Sequence, residues 1–412
     1  MWNLLTQSYW RDEAFSVMLA SHPLKDIFSL VVKLDHTPPF FYYLQHFWIS
    51  AFGSGEIAAR SLSLLFHLLT VYFGWKLTKS CLVGLAIFLN PFLWNYALEA
   101  RHYSVYAALV LGGVYFYLAK KYTRSVAFWS LALLTHNFAW LYFLSFSVLY
   151  KAKKLLPALV IGAAWLPFAW QQISRLNQGM WLDPPSGWLW WLASFKAFTT
   201  TPLLTWLSLA LLVLSLVRPK KLLLLAVAPP LLTYLISRFW VPIYLERYLL
   251  PTLPLLIVGA GLSLKQFKWT KYLATAYLLV LFVIFIQINQ QTTKAPMRQV
   301  VKNIVSQIQP EEIIVTEQPI NYLEVYYYLK QSGKENLLYS YLYPGEDLIP
   351  YYVGTDLIKP WQEIVGVPEG RPFWLERNNP TISIPVCWSW LIRKTEPGVV
   401  TVPMNVQKYA HP

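Results

Sequence analysis

Asp12 and Glu13 stand side by side behind Trp10-Arg11, and a third carboxylate follows in Asp35-His36-Thr37-Pro38-Pro39. Adjacent carboxylates with a third acid nearby suit proton transfer at a reacting group, or capture of a cation. In a soluble protein the same pair would read as a solvated face. Further along come Glu99-Ala100-Arg101-His102-Tyr103, His136-Asn137 and Glu246-Arg247-Tyr248. Arg101 and Arg247 carry planar guanidinium groups that match the geometry of a phosphate. Arg60 and Arg238 are similarly placed but have less company. The plainer readings are that Glu99 and Arg101 pair locally at a water interface, and that His136 is a packing residue.

Membrane helices are the elements that must position these groups. Only 13% of the 412 residues are charged, against roughly 25% in a soluble domain. Apolar runs recur from about residue 56 to residue 288. The expected fold is mainly α, a polytopic transmembrane bundle, rather than a soluble chain of buried helices. Candidate spans lie at 56–76, 82–97, 104–119, 125–136, 138–150, 155–173, 203–217, 222–240, 248–264 and 272–288. The aromatic segment 38–52 is too short to cross and reads as a helix in the interface, or as a short core helix.

Charge is distributed unevenly. Residues 1–288 hold 23 Lys/Arg and 8 Asp/Glu, a balance of +15, whereas residues 289–412 hold 11 and 12. If loops are assigned alternately to two sides, 14 of those 23 cations collect on one side and all eight acids on the other. The basic side is then cytoplasmic and the carboxylates face outward. The excess charge reports topology, not nucleic-acid binding. The outer loop 174–202 contains Trp181, Trp188, Trp190 and Trp191, which fit either a lid over a lipid or carbohydrate or a plain aromatic belt.

Three regions follow: an outer loop with the acidic motif and interfacial helix (1–55), the helical bundle (56–288), and a small soluble α/β domain (289–412) on the outer side. Helices are expected at 297–308 and 319–331, and strands at 313–316, 337–339 and 373–375. Cys81 and Cys387 fall on opposite sides and imply no disulfide. There is no glycine loop for phosphate, no H-E-x-x-H, no serine elbow and no cleavable signal peptide. The span centres are nearly free of charge, which argues against ion-coupled transport.

The ordered motifs W-x-DE-A-x-S from Trp10, D-H-x-P-P-F-x-Y-x-L from Asp35 and G-S-x-E-I-A-A-R-S-L-S at 53–63 resemble the GT-C fold glycosyltransferases. The similarity is to their protein O-mannosyltransferase and aminoarabinose-transferase-like group, glycosyltransferase family 39 among them. Glu99-Ala-Arg101-His-Tyr103-Ser104, Thr135-His136 and Arg247-Tyr248-Leu-Leu-Pro251 resemble later motifs of that group, so the likeness covers about residues 8–265. It implies a GT-C bundle that moves a sugar from a polyprenyl-phosphate carrier to an outer acceptor (protein, lipid or glycan), with inversion.

The resemblance assigns Asp12 as the catalytic base. Glu13 and Asp35 would shape the sugar and acceptor site, and Arg101, with Arg247, would hold the lipid phosphate. His36, Arg60, Glu99, His102, Tyr103, His136 and Tyr248 complete the expected substrate-binding set. No cofactor is implied, and a divalent cation at the acids is left open. Members of the group normally cross the membrane once before the acidic motif, whereas 11 residues precede Asp12 here; the reading expects a missing span upstream. The absence of an N-x-S/T sequon leans toward a bacterial plasma membrane. The alternative reading is a non-catalytic protein that binds or flips lipid-linked sugars. A headgroup transferase would call for a metal cluster or a nucleophile that the sequence does not display.

Overall fold

Most apolar segments fold as helices close to their expected bounds, and the largest departure lies ahead of them. A computed structural model describes residues 3–176, 182, 184–185, 198–216, 221–265, 267, 269–290, 294–340, 354–365, 373–377 and 405–409. Trp181, Trp188, Trp190, Trp191 and Cys387 lie outside the described residues.

Residues 1–35, the first part of the expected outer loop, contain helices Asn3–Thr6 (α1), Arg11–Ala20 (α2) and Leu24–Leu34 (α3). Every residue of α2 from Asp12 to Ala20 is buried, so the helix has no apolar stripe to betray it. The aromatic segment follows as Phe40–Phe52 (α4), which ends at Gly53 with φ +89°, a conformation strained for other residues.

Glu56–Thr78 (α5) has 23 residues and is long enough to cross a membrane. The span expected at 82–97 breaks at Asn90-Pro91 into Cys81–Leu89 (α6) and Pro91–Ala97 (α7). Pro91 cannot donate back into the first helix, and the Asn90 side chain caps the second by accepting from Leu93 N–H at 3.0 Å. Tyr103–Leu118 (α8) follows. Tyr122–Leu133 (α9) and Ala139–Tyr150 (α10) meet around His136-Asn137. Each has 12 residues, about 18 Å and short of a bilayer core.

The segment at 155–173 is a pair, Leu156–Ala163 (α11) and Leu166–Leu176 (α12), bent by 53°. Pro202–Ser215 (α13), Lys221–Phe239 (α14), Thr252–Leu264 (α15) and Thr270–Gln290 (α16) complete the bundle. A Cβ at Gly259 of α15 would lie 3.0 Å from the Leu223 backbone nitrogen of α14, so a glycine there lets two backbones meet. By length and apolar composition, α5, α14 and α16 can each cross a membrane among the described residues, and the bent pair makes a fourth. The chain is an integral membrane protein.

Beyond residue 294, Met297–Gln307 (α17), Tyr322–Lys330 (α18) and Trp361–Val365 (α19) accompany a sheet of Ile313–Thr316 (β1), Leu338–Ser340 (β2), Phe373–Arg377 (β3) and Asn405–Tyr409 (β4). The sheet order is β2-β1-β3-β4, and β1 is parallel to both of its neighbours. Antiparallel β4 was not expected from the sequence.

The two longer helices of this part, α17 and α18, clamp the N-terminal segment. Tyr9 N–H donates to the Tyr328 hydroxyl at 2.7 Å, Arg11 N–H to Glu324 at 2.7 Å, and Arg298 N–H to Ser8 Oγ at 3.0 Å. Glu56, at the start of α5, accepts from Tyr328 at 2.7 Å and pairs with Arg298 at 3.1 Å.

Candidate functional site

Helix α2 presents its first turn, with Asp12 and Glu13, to the tops of the membrane helices. Acids are favoured in that turn because its free N–H groups make a positive pole. The two neighbours point into different surroundings.

Glu13 faces inward and is fully enclosed. Its Oε1 accepts from Arg60 Nε at 2.7 Å and from Ala100 N–H at 2.8 Å; its Oε2 accepts from Arg60 Nη2 at 2.7 Å and Lys294 Nζ at 2.8 Å. Arg60 gives its remaining hydrogens to the carbonyls of Leu4, Leu5, Gln7 and Ser8, at 2.7 to 3.2 Å. Both side chains are buried. Burial alone would raise the Glu13 carboxyl, but Lys294 and Arg60 hold it down at about 2. This pair ties the N-terminal segment to α5 and to the turn before α8.

Asp12 is the open member. Its side chain keeps 12% exposure, and Oδ1 accepts from Arg11 Nε and Nη2 at 3.0 and 2.9 Å. Oδ2 faces Arg247 Nη2 at 3.9 Å. Burial would raise this carboxyl; Arg101, Arg11 and Arg247 outweigh it and keep Asp12 below its usual range. Arg101 lies beneath, donating through Nη1 to Ser16 Oγ at 2.7 Å and to the Asp12 carbonyl at 3.3 Å. Arg247 lies over the rings of Trp10 and Tyr248, at 5.9 and 5.8 Å.

Asp35 ends α3 and accepts from the Thr37 and Tyr42 hydroxyls. Tyr42 also meets Ser16, so hydroxyl contacts link Asp35 to Arg101 and Asp12. The carbonyl of His36 accepts from Asn137 Nδ2 at 2.7 Å, which joins this loop to the α9–α10 hairpin.

Glu99 sits on the far side of Lys294, whose Nζ is 4.0 Å from Oε1. Its Oε2 is buried without a hydrogen-bond partner among the described residues. Burial drives this carboxyl up, Lys294 opposes, and the nearby charges of Glu13 and Asp12 add to the rise, leaving it at about 7.

Beneath the charged layer is an aromatic cluster. His102 and His136 are buried with ring centroids 4.9 Å apart; Tyr106 stacks on His136 at 4.8 Å, and Tyr248 lies 5.4 Å from it. His136 Nδ1 accepts from Phe138 N–H at 3.0 Å. Tyr103 lies 4.3 Å from His102.

The structure thus gathers Asp12, Glu13, Asp35, Arg60, Glu99, Arg101 and Arg247 into one connected layer, with His102, Tyr103, His136 and Tyr248 under it and His36 at its edge. Arg238 is exposed and outside it. Sequence reading missed Lys294, Arg11, Ser16 and Tyr42. Arg11, Ser16 and Tyr42 lay inside the quoted motifs without being given a role, whereas Lys294 lies past the last span and carries no local signal. Among the described residues, no group of three or more His, Cys, Asp or Glu could hold a metal ion.

No family model matches the chain, and no curated protein matches it. Solved structures do. ArnT from Cupriavidus metallidurans in the apo state superposes with a TM-score of 0.62 at 13% identity, over 92% of this chain and 90% of that one. The same protein bound to undecaprenyl phosphate gives 0.60 at 13% identity, over 91% and 90%. The fold is the GT-C fold that the motifs of the first 265 residues resembled, and it extends over nearly the whole chain.

Proposed function

We propose that the chain is a membrane glycosyltransferase that moves a sugar from a polyprenyl phosphate to a hydroxyl acceptor. The observation that carries this reading is an ionised, partly open carboxylate, Asp12, facing arginines within a GT-C bundle. The crystallised complex of ArnT with undecaprenyl phosphate supports a polyprenyl phosphate as the lipid partner.

The acceptor hydroxyl attacks the anomeric carbon opposite the lipid phosphate. A C–O bond to the acceptor forms, the C–O bond to phosphate breaks, and the configuration inverts. The hydroxyl proton passes to Asp12, and the electron pair leaves on the phosphate. Arg247, the more open of the two arginines, meets that growing charge, with Arg101 behind it. Phosphate leaves readily, so no strong general acid is required. Asp12 is a weak base in this setting; it takes the proton late, once bonding to carbon has made the hydroxyl acidic.

Glu13 and Arg60 act as positioning residues, since each already has its hydrogen-bonding groups engaged. Asp35, through Tyr42 and Ser16, aligns the acceptor side, and the aromatic cluster of His102, Tyr103, His136 and Tyr248 floors the pocket. The reading places this layer outside the cytoplasm in a bacterial plasma membrane, with lysine-rich turns on the other side. The deciding experiment is an Asp12→Asn chain assayed with defined polyprenyl-phosphate sugars and mass spectrometry of the products. Near-normal turnover would remove Asp12 from the base role.

A further inference from the structure

The end of the bundle opposite the carboxylates holds a cavity of about 440 Å³ between α6, α13, α15 and α16, a size typical of small-ligand sites. Lys79 stands 19 residues from Arg60 along α5 and its C-cap, about 28 Å away. The lysine-bordered end of the cavity is therefore remote from the Asp12 layer, while its lining runs along the helices to Asn90 and Leu253. The inference concerns the lysine end and does not depend on the transfer reaction.

Its walls are aliphatic, with Leu82, Leu256 and Leu278 among them, and Lys79, Lys265 and Lys271 border it. No carboxylate is among its described lining residues. Lys265 Nζ donates to the Thr78 carbonyl at 3.3 Å, which leaves two N–H bonds for another acceptor. Lys79 and Lys271 lie over the rings of Trp75 and Tyr272, at 5.9 and 4.9 Å. All three lysines are exposed. The outer wall is α16, whose apolar window is 17% buried, against 44% for α5 and 39% for α14. Among the described residues, most of that apolar window is left uncovered, as on a helix that faces lipid. Topology accounts for lysines in turns, but not for three of them around one apolar cavity.

The geometry points to a bound anionic phospholipid, its phosphate held by Lys79, Lys265 and Lys271 and one acyl chain lying along Leu82, Leu256 and Leu278. The ammonium groups supply the charge complement, and the leucines supply a dry wall for hydrocarbon.

The test uses the full chain, stripped of lipid in detergent and titrated with dioleoyl phosphatidylglycerol or dioleoyl phosphatidylcholine, with occupancy read by native mass spectrometry. One phosphatidylglycerol per chain is expected, held at least roughly tenfold more tightly than phosphatidylcholine. The triple variant K79Q/K265Q/K271Q removes that preference, and Ala260→Trp, in the cavity wall, removes the lipid while keeping the lysines. Thermal unfolding without lipid checks that both variants fold; if Ala260→Trp does not, the lysine variant decides alone. Equal binding of the two lipids, or unchanged phosphatidylglycerol binding by the lysine variant, overturns the inference. So does displacement of phosphatidylglycerol by inorganic phosphate, which would mark a free-anion site, or by equimolar polyprenyl phosphate, which would mark a carrier site.

Discussion

Arg60 and Glu13 face each other through two parallel hydrogen bonds of 2.7 Å, with both side chains fully buried. Forty-seven residues separate them in the chain, and the pair fixes the first turn of α2 against α5. Removing Arg60 leaves the buried Glu13 carboxylate to Lys294 alone among the described side-chain cations and takes the donor from four backbone carbonyls. Arg60→Ala is therefore expected to destabilise the protein by roughly 3–5 kcal/mol. The measurement is the thermal unfolding midpoint in detergent; a midpoint equal to that of the parent would show that the pair does not hold the segment.

Asp12→Asn should behave differently. Its side chain is partly open and its partners are arginines at the edge of the site, so folding should survive. Turnover should fall by roughly 10²–10⁴-fold, the usual worth of a positioned acid or base. Because the surrounding arginines depress the Asp12 carboxyl, the acid limb of kcat/KM should lie below the ordinary carboxylate range. The stability this carboxylate contributes is present above its unfolded-state value and is lost as pH falls through the folded one. Rate profiles at constant ionic strength check this; a limb near neutrality would assign the base elsewhere.

Glu99 carries the opposite sign. Its folded value of about 7 lies above the ordinary glutamate value of 4.5. The fold therefore favours the protonated form, and stability contributed below pH 4.5 is lost as pH rises to about 7. Glu99→Gln should flatten the unfolding midpoint across that window. Lys294→Met should steepen the parent's decline, since the ammonium is what restrains the rise. A midpoint with identical pH dependence in all three proteins would exclude Glu99 as the titrating group.

Arg247→Ala is expected to raise KM for the polyprenyl-phosphate sugar by roughly tenfold to a hundredfold, the worth of a charged hydrogen bond. Arg247→Lys should recover only part of this, because an ammonium lacks the fork geometry of a guanidinium. Initial-rate kinetics with varied donor decide the matter. A change confined to the acceptor KM would move Arg247 to the acceptor side.

Much of this layout was legible in the sequence. The helix bounds follow from apolar run length, and the three N-terminal motifs contain Asp12, Glu13, Asp35 and Arg60, which the structure brings into one layer. Helix α2 escaped because it is surrounded on all sides, so no polar face alternates with an apolar one. The interruption at Asn90-Pro91 was visible as a proline, yet the apolar run on either side concealed it. Lys294 was invisible for another reason: its part is set by a contact across 281 residues with Glu13, and no local pattern records that.

The clamp of α17 and α18 on the first residues bears on the order of biosynthesis. Tyr9 waits for Tyr328, Arg11 for Glu324 and Glu13 for Lys294, so a nascent chain that has emerged only as far as its last span still lacks the contacts that seat the acidic turn. The acidic turn is then seated only after residues as far as Tyr328 have emerged, and a fragment stalled on the ribosome before them would be inserted in the bilayer without that seat.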